Sequence, residues 1–375
     1  MKLSIVIGFR NRDLKRVRRC MTSLSDQSNQ NFELIFVNYG SDTALAEQVS
    51  KIVHQYTFCR YVYSDTRGYP WSRAHALNIG IRLAQGEFVL TTDIDFVFAN
   101  NFVDVILANV KKNAVLYSFV YFLPEKFDDF SNISKYHQEF KTSNRDGMGG
   151  CCCLEKIILE DIGGFDEYYR YWGIEDEDLH SRLKIKNIEE IWLEDSLTLY
   201  HQWHQPYNHR SAYFMPDFFW GKARIHFNKS KAVVKRNRYD WGGIIDSSKR
   251  TVLKYLDFSK NVLLNTGKIQ QLDYNPLDNE SVYLLIENFF SSPPGSVLAI
   301  YGSHYPIFVH SRSTDLFFSL IDRYEIFKRR FEYFDYKQNV LHNSLFQLIL
   351  ECGDMIEDYY LNFSYKNGVS LIIRK

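Results

Sequence analysis

Within its first hundred residues the chain alternates between two periodicities, and that alternation restricts its fold more than any other feature. "LSIVIGF" (3–9) is a continuous apolar run rich in β-branched residues, as in a strand buried on both faces. "DLKRVRRCMTSLSDQ" (13–27) then places Leu14, Val17, Met21 and Leu24 at helical spacing. The cycle repeats as strand 32–42, helix 43–56, strand 59–65, helix 72–84 and strand 87–98. Strands joined through helices need crossover connections, which produce a parallel, doubly wound α/β sheet. Ligands of such sheets lie in the crevice beyond the carboxyl ends of the strands. Those ends carry Phe9-Arg10-Asn11-Arg12, Asn38-Tyr39-Gly40-Ser41 and Asp93-Ile94-Asp95.

The texture changes after about residue 210. Residues 218–241 are basic and aromatic, 251–272 read as helical, and 296–309 restart a strand pattern after Pro293-Pro294-Gly295. Helices are expected over 314–360 and a last strand over 368–374. These changes divide the chain into a catalytic domain (1–215), a connecting segment (216–245) and a C-terminal α/β or mainly helical extension (246–375).

Charge excludes some partners. Lys+Arg and Asp+Glu are both 45, so no global basic field points to nucleic acid, and an anionic ligand needs local groups. Aromatic residues make up 16% of the chain, which suits a large core as well as stacking on sugars. Six cysteines without a C-x-x-C pair, three of them consecutive at 151–153, read as small buried apolar residues in a reducing compartment. The N-terminal run lacks the pattern of a secretory leader, and no apolar stretch reaches membrane-spanning length. A cytoplasmic location is expected, with peripheral contact at the inner face of the membrane compatible with it.

Four segments carry candidate chemistry. "TTDIDF" (91–96) is an Asp-x-Asp at the end of a buried strand, where the turning chain lets Asp93 and Asp95 approach one hard divalent cation. A helix cap or solvated loop reads the same in isolation. "YHQWHQP" (200–206) offers His201 and His204, a plausible ligand pair, although a single His is more often structural. "FRNR" (9–12) presents Arg10 and Arg12 for bidentate phosphate contacts, or as surface arginines leading into a helix. "YWGIEDEDLH" (171–180) puts Glu175, Asp176, Glu177 and Asp178 behind Trp172 and Gly173. Acids in a first helical turn are stabilised by the helix dipole, which accounts for Glu177 or Asp178. A general base beside an aromatic lid accounts for the rest, because crowded carboxylates raise one another's pKa.

These segments, taken in order, resemble a GT-A-fold glycosyltransferase of the family 2 type. The likeness is to the β-1,4-galactosyltransferases and related bacterial galactosyl- and N-acetylgalactosaminyltransferases, over roughly residues 3–210. "IGFRNR" (7–12) resembles the first-strand IPFRNR, and "WSRAHALNIG" (71–80) resembles FNRAKLLNVG. "TTDIDF" resembles the metal-binding D-x-D, residues 149–183 resemble the GGVSA…WGWGGEDDD…RL block, and "LYHQWH" (199–204) resembles the segment with the last metal ligand. The resemblance implies a mixed, doubly wound GT-A sheet. It further implies Mn²⁺ or Mg²⁺ on Asp95, His204 and His201, with Asp93 near the donor. Phe9, Arg10, Arg12, Asn38 and Arg73 would contact a UDP-sugar, Trp172 would close over it, Asp176 would be the base and Glu175 would hold the acceptor.

The implied activity is inverting transfer of a hexose, galactose or N-acetylgalactosamine favoured, to a saccharide or lipid-linked glycan during surface polysaccharide synthesis. The departures are Gly8 for proline, Asn38 for the acid that often reads uracil, and Gly173-Ile174 for Gly-Gly, which should stiffen the lid. A nucleotidyltransferase on a similar scaffold would lack a use for the Trp-Gly-x-Glu-Asp loop. A catalytically inactive nucleotide-sugar-binding or scaffold protein would not need the Asp-x-Asp, the histidine pair and Glu-Asp together.

Overall fold

The computed structural model describes residues 2–143, 150–170, 173–193, 199–204, 216–237, 239–256, 262–265, 268–271, 287–301, 349, 352–364 and 368–375. The chain divides into two compact units: Met1–Arg67 with Trp71–Pro206 and Asp217–Ile245, and Gly68–Pro70 with Tyr207–Pro216 and Asp246–Lys375. The basic aromatic segment read as a connector therefore lies mostly in the first unit.

The first unit begins with the expected alternation: β1 (Leu3–Phe9), α1 (Leu14–Ser25), β2 (Phe32–Tyr39), α2 (Thr43–Val53), β3 (Cys59–Ser64), α3 (Arg73–Leu83) and β4 (Phe88–Asp93). It continues through β5 (Phe96–Phe98), α4 (Phe102–Asn109), β6 (Ala114–Ser118), β7 (Tyr121–Phe122), β8 (Lys141–Thr142) and β9 (Cys151–Glu155). α5 (Lys156–Asp161), α6 (Glu175–Ile185), β10 (Glu189–Leu193), β11 (Leu199–His201) and α7 (Pro216–Ser230) complete it. The main sheet runs β10-β6-β9-β4-β1-β2-β3. All its pairings are parallel except those of β9, which is antiparallel to both β4 and β6. The sheet is mixed, and Cys151, Cys152 and Cys153 are buried in that reversed strand.

The order of strands reverses between β1 and β4, and a doubly wound sheet opens its ligand crevice at that point. Core packing holds the two strand ends there. Every residue of β1 is buried, and Gly80 of α3 lies so close to β1 that an added Cβ would meet a Val6 methyl at 2.2 Å. A smaller sheet, β5-β11-β7-β8, pairs β11 antiparallel to β5 with His201 opposite Phe96.

In the second unit, β12 (Val262–Asn265), β13 (Lys268–Gln271), β14 (Val297–Tyr301), β15 (Asp358–Ser364) and β16 (Gly368–Arg374) form an antiparallel sheet of order β13-β12-β14-β16-β15. The helix expected over 251–272 is replaced by a short 3-10 turn at Thr251–Tyr255 and the β12–β13 hairpin. Asp358, expected near the end of a helical region, opens β15 and pairs with buried Arg250 at 2.9 Å. Most of the helices expected over 314–360 lie outside the described residues.

Asp178, read from the sequence as a solvated helix-start acid, is instead fully buried. It accepts from Arg182 Nε at 2.7 Å, from Arg236 and from Tyr169 Oη at 3.3 Å. Arg182 and Arg236 are themselves almost completely enclosed. Removing one partner of such a cluster leaves buried charge uncompensated. Asp178→Ala is therefore expected to lower unfolding free energy by about 3–5 kcal/mol in urea titrations. Glu177→Gln, which loses only an exposed pair with Lys222, should leave the urea midpoint nearly unchanged.

Candidate active site

The crevice is built from the end of β4 and the first turns of α3 and α6. Asp93 is the last residue of β4, and Asp95 follows in the tight connection to β5. The β5–β11 register delivers His201 beside Phe96, with the two rings 5.4 Å apart edge to face. A hydrogen bond from Gln202 N to Asp95 O at 2.7 Å ties the next residue to the same connection. His204 Nε2 then lies 3.8 Å from Asp95 Oδ2, and the His201 and His204 rings are 5.0 Å apart.

Asp95, His201 and His204 each offer one ligand atom, and the three atoms fall within 4.8 Å of one another. Two donors each at about 2.0–2.2 Å from one ion can be separated by little more than 4 Å, so a small side-chain adjustment closes the set. Burial lowers the pKa of His201, partly opposed by Asp95, which leaves a neutral imidazole able to coordinate. The chemistry and placement of these donors fit a divalent cation.

Arg73 organises the other half of the site. It is the first residue of α3, whose start is capped by Ser72 accepting from His75 N. Its Nε donates to Asp93 Oδ1 at 2.7 Å, and its Nη1 donates to Asp176 Oδ1 at 3.0 Å. Glu175 Oε1 lies 3.6 Å from the same nitrogen. The residue expected on the donor thus holds together three of the acids named beside it.

Burial pushes the Asp176 carboxyl up to about 8; Arg73 opposes the shift, while Glu175 and Asp93 reinforce it. Glu175 is also raised, again chiefly by burial. The turn into α6 sets these acids in place. Gly173 has φ 85° and Ile174 φ 75°, a left-handed conformation costly for a β-branched residue. The Ile174 side chain is buried and packs against Gly221 of α7. Trp172 lies outside the described residues.

The donor residues expected at the first strands divide by exposure. Arg12 is exposed, and Arg10 is half-buried with Nη2 donating to Thr66 O at 3.4 Å. The Phe9 ring is fully buried, 5.3 Å from Phe36, so only its backbone reaches the strand end. Asn38 is equally enclosed: its Nδ2 donates to Tyr61 Oη at 2.9 Å, and its Oδ1 accepts from Ser41 N at 3.0 Å. Asn11 stitches the β1 and β2 ends together, donating from its backbone to Ser41 Oγ and accepting from Asp42 N, both at 3.0 Å. Two ion-paired groups in the first unit, buried Asp65 and partly buried Arg16, carry no sequence signal of their own. Asp65 accepts from Arg67 Nε and Nη2 at 2.8 and 2.7 Å, and Arg16 Nη1 donates to Asp95 at 2.8 Å.

Residues 4–162 match the family model for glycosyl transferase family 2, and residues 131–205 match that for the N-terminal domain of galactosyltransferase. Among curated proteins, glycosyltransferase GlyG of Streptococcus pneumoniae serotype 4 is 26% identical over 110 residues, 29% of this chain and 35% of that protein. An uncharacterized glycosyltransferase of Rickettsia bellii is 26% identical over 117 residues, 31% of this chain and 16% of that protein. The matched stretches are thus about a third or less of those relatives' lengths. A crystal structure of S. aureus TarS 1-349 in complex with UDP-GlcNAc superposes with TM-score 0.46 at 17% identity, covering 64% of this chain and 68% of that one. GalNAc-T7 with UDP, GalNAc and Mn²⁺ gives TM-score 0.44 at 13% identity, covering 55% and 44%.

A mixed, doubly wound sheet carries Asp-x-Asp at its switch point, and two glycosyltransferase family models match the chain in succession across it. Together the two matches run from residue 4 to residue 205, with glycosyl transferase family 2 sequence in the first part and galactosyltransferase-type sequence in the second.

Arg73 favours the ionised form of Asp176, so its loss should raise that pKa further. As the base the sequence leads one to expect, Asp176 would work only when deprotonated, and kcat/KM reports the free enzyme's groups. The acidic limb of the kcat/KM–pH profile is expected to move to higher pH in Arg73→Gln and less in Arg73→Lys. An unmoved limb in Arg73→Gln would separate Arg73 from the base.

Proposed function

We propose that the enzyme transfers a hexose, with galactose or N-acetylgalactosamine favoured, from a UDP-sugar to a saccharide hydroxyl with inversion at the anomeric carbon. The observation that carries this reading is the junction at Arg73, which joins the Asp-x-Asp strand end to Glu175-Asp176 at the start of α6. Donor-side and acceptor-side acids thereby share one guanidinium.

Asp176 removes the proton of the acceptor hydroxyl, and the oxygen attacks the anomeric carbon. The bond from that carbon to the diphosphate oxygen breaks with its electron pair on the diphosphate, and the proton remains on Asp176. Glu175 hydrogen-bonds the acceptor and orients it. Arg10 and Arg12 lie at the β1 end, where guanidinium groups are suited to the diphosphate. Asp95, His201 and His204 would hold the divalent ion, which when bound supplies Lewis-acid stabilisation of the leaving diphosphate. Two imidazole nitrogens in the set favour Mn²⁺ over Mg²⁺, which prefers oxygen ligands.

The acceptor is proposed to be a growing glycan, lipid-linked at the inner membrane face, in surface polysaccharide synthesis. Among the described residues no helix is long and apolar enough to cross a membrane. The second unit is proposed to orient an acceptor or a partner and not to bind the donor, because the candidate donor groups lie in the first.

Asp176→Asn is expected to reduce transfer by at least about two orders of magnitude, as for loss of a general base, while leaving donor affinity nearly unchanged. Asp95→Ala is expected to abolish Mn²⁺-dependent UDP binding in calorimetry, because its carboxylate bridges protein and ion. Full turnover in Asp176→Asn would remove Asp176 from the base role, and undiminished Mn²⁺-dependent UDP affinity in Asp95→Ala would remove Asp95 from the metal site.

A further inference from the structure

Arg16 lies on α1, one turn beyond "FRNR" and outside the motifs that carry the chemistry. Its Nη1 donates to Asp95 Oδ1 at 2.8 Å, and both side chains are largely buried. Its Nη2 lies 3.2 Å from Asp13 Oδ2, while Asp13 Oδ1 caps α1 by accepting from Arg16 N at 3.0 Å. Gln202, between the two histidines, donates from Nε2 to Arg16 O at 3.3 Å and from its backbone to Asp95 O. The start of α1, the Asp-x-Asp connection and the histidine segment are thereby locked together around one carboxylate.

That lock selects the orientation of Asp95. With Oδ1 held by Arg16, Oδ2 faces His204 Nε2. We propose that Arg16 is a positioning residue for the divalent ion, fixing Asp95 as a one-oxygen ligand turned toward His201 and His204. The inference rests on the metal-dependent reading given above.

A guanidinium this close to a metal ligand has two opposing effects. It orients the carboxylate, and outer-shell partners of this kind commonly contribute 10–100-fold in metal affinity. Its positive charge also repels the ion and competes for the same oxygen. Asp13, exposed at 3.2 Å from the second nitrogen, offsets part of that charge, and orientation is proposed to outweigh the rest. The two effects predict opposite signs when Arg16 is removed.

The test is Mn²⁺ titration of the full chain without nucleotide, with free Mn²⁺ followed by electron paramagnetic resonance and melting temperatures as the folding control. Arg16→Met is expected to weaken Mn²⁺ binding about tenfold or more. Arg16→Lys, which keeps the charge without the fork, is expected to fall between it and the parent, and it serves if Arg16→Met fails to fold. Unchanged or tighter binding in a folded Arg16 variant overturns the proposal. His204→Ala provides the separate reference: it should lose the ion. Parent-like Mn²⁺ binding in His204→Ala would place the ion elsewhere and overturn the metal reading together with the role of Arg16.

Discussion

One guanidinium holds the site together. Arg73 is largely buried and faces Asp93, Asp176 and Glu175, three carboxylates that would otherwise repel one another across the crevice. Its own pKa is raised well above the ordinary arginine value by those acids, against the cost of burial. Because Arg73 begins α3, the helix that packs on β1 and β2, the acids are referenced to the rigid centre of the sheet. Loops alone would hold them less well. The arrangement also leaves the Asp176 carboxyl, the proposed base, with a raised pKa close to the end of the Asp-x-Asp strand, which suits the proposed acceptor deprotonation at near-neutral pH.

The remaining parts of the site are fixed from either side of that centre. Antiparallel pairing of β11 with β5 brings His201 and His204 back to the Asp-x-Asp connection from about a hundred residues away. On the other side, the buried cluster of Asp178, Arg182 and Arg236 anchors α6 one turn beyond the proposed base. The four consecutive acids therefore differ by environment. Glu175 and Asp176 face Arg73, Glu177 reaches Lys222 at the surface, and Asp178 is structural.

Much of this was legible in the sequence because it is written in local patterns. β1 to β4 and the helices between them follow from β-branched runs and helical spacing, and Asp93 and Asp95 fall at a strand end as that pattern requires. The His201–Asp95–His204 grouping was legible through motif resemblance, with spacing alone leaving it open. The antiparallel β9 was not legible, since strand direction depends on partners that "CCCLE" does not specify. Residues 251–272 were misread because their apolar spacing is ambiguous in short segments, while the Asn265-Thr266-Gly267 turn signal went unused. Asp178 and Arg16 were missed for one reason. Arg236 and Asp95 are distant in sequence from Asp178 and Arg16, and the i,i+4 pairing of Asp178 with Arg182 reads the same on an exposed helix as on a buried one.

The site is proposed to bind a UDP-sugar through a divalent ion and to activate it for transfer. The most direct measurement is turnover of a panel of UDP-, GDP- and CDP-sugars by the full chain, with Mn²⁺ and with the ion removed by chelation. Release of UDP from a UDP-hexose or UDP-N-acetylhexosamine is expected to require Mn²⁺ and to stop on chelation. Preference for a GDP- or CDP-sugar, or undiminished turnover under chelation, would contradict it.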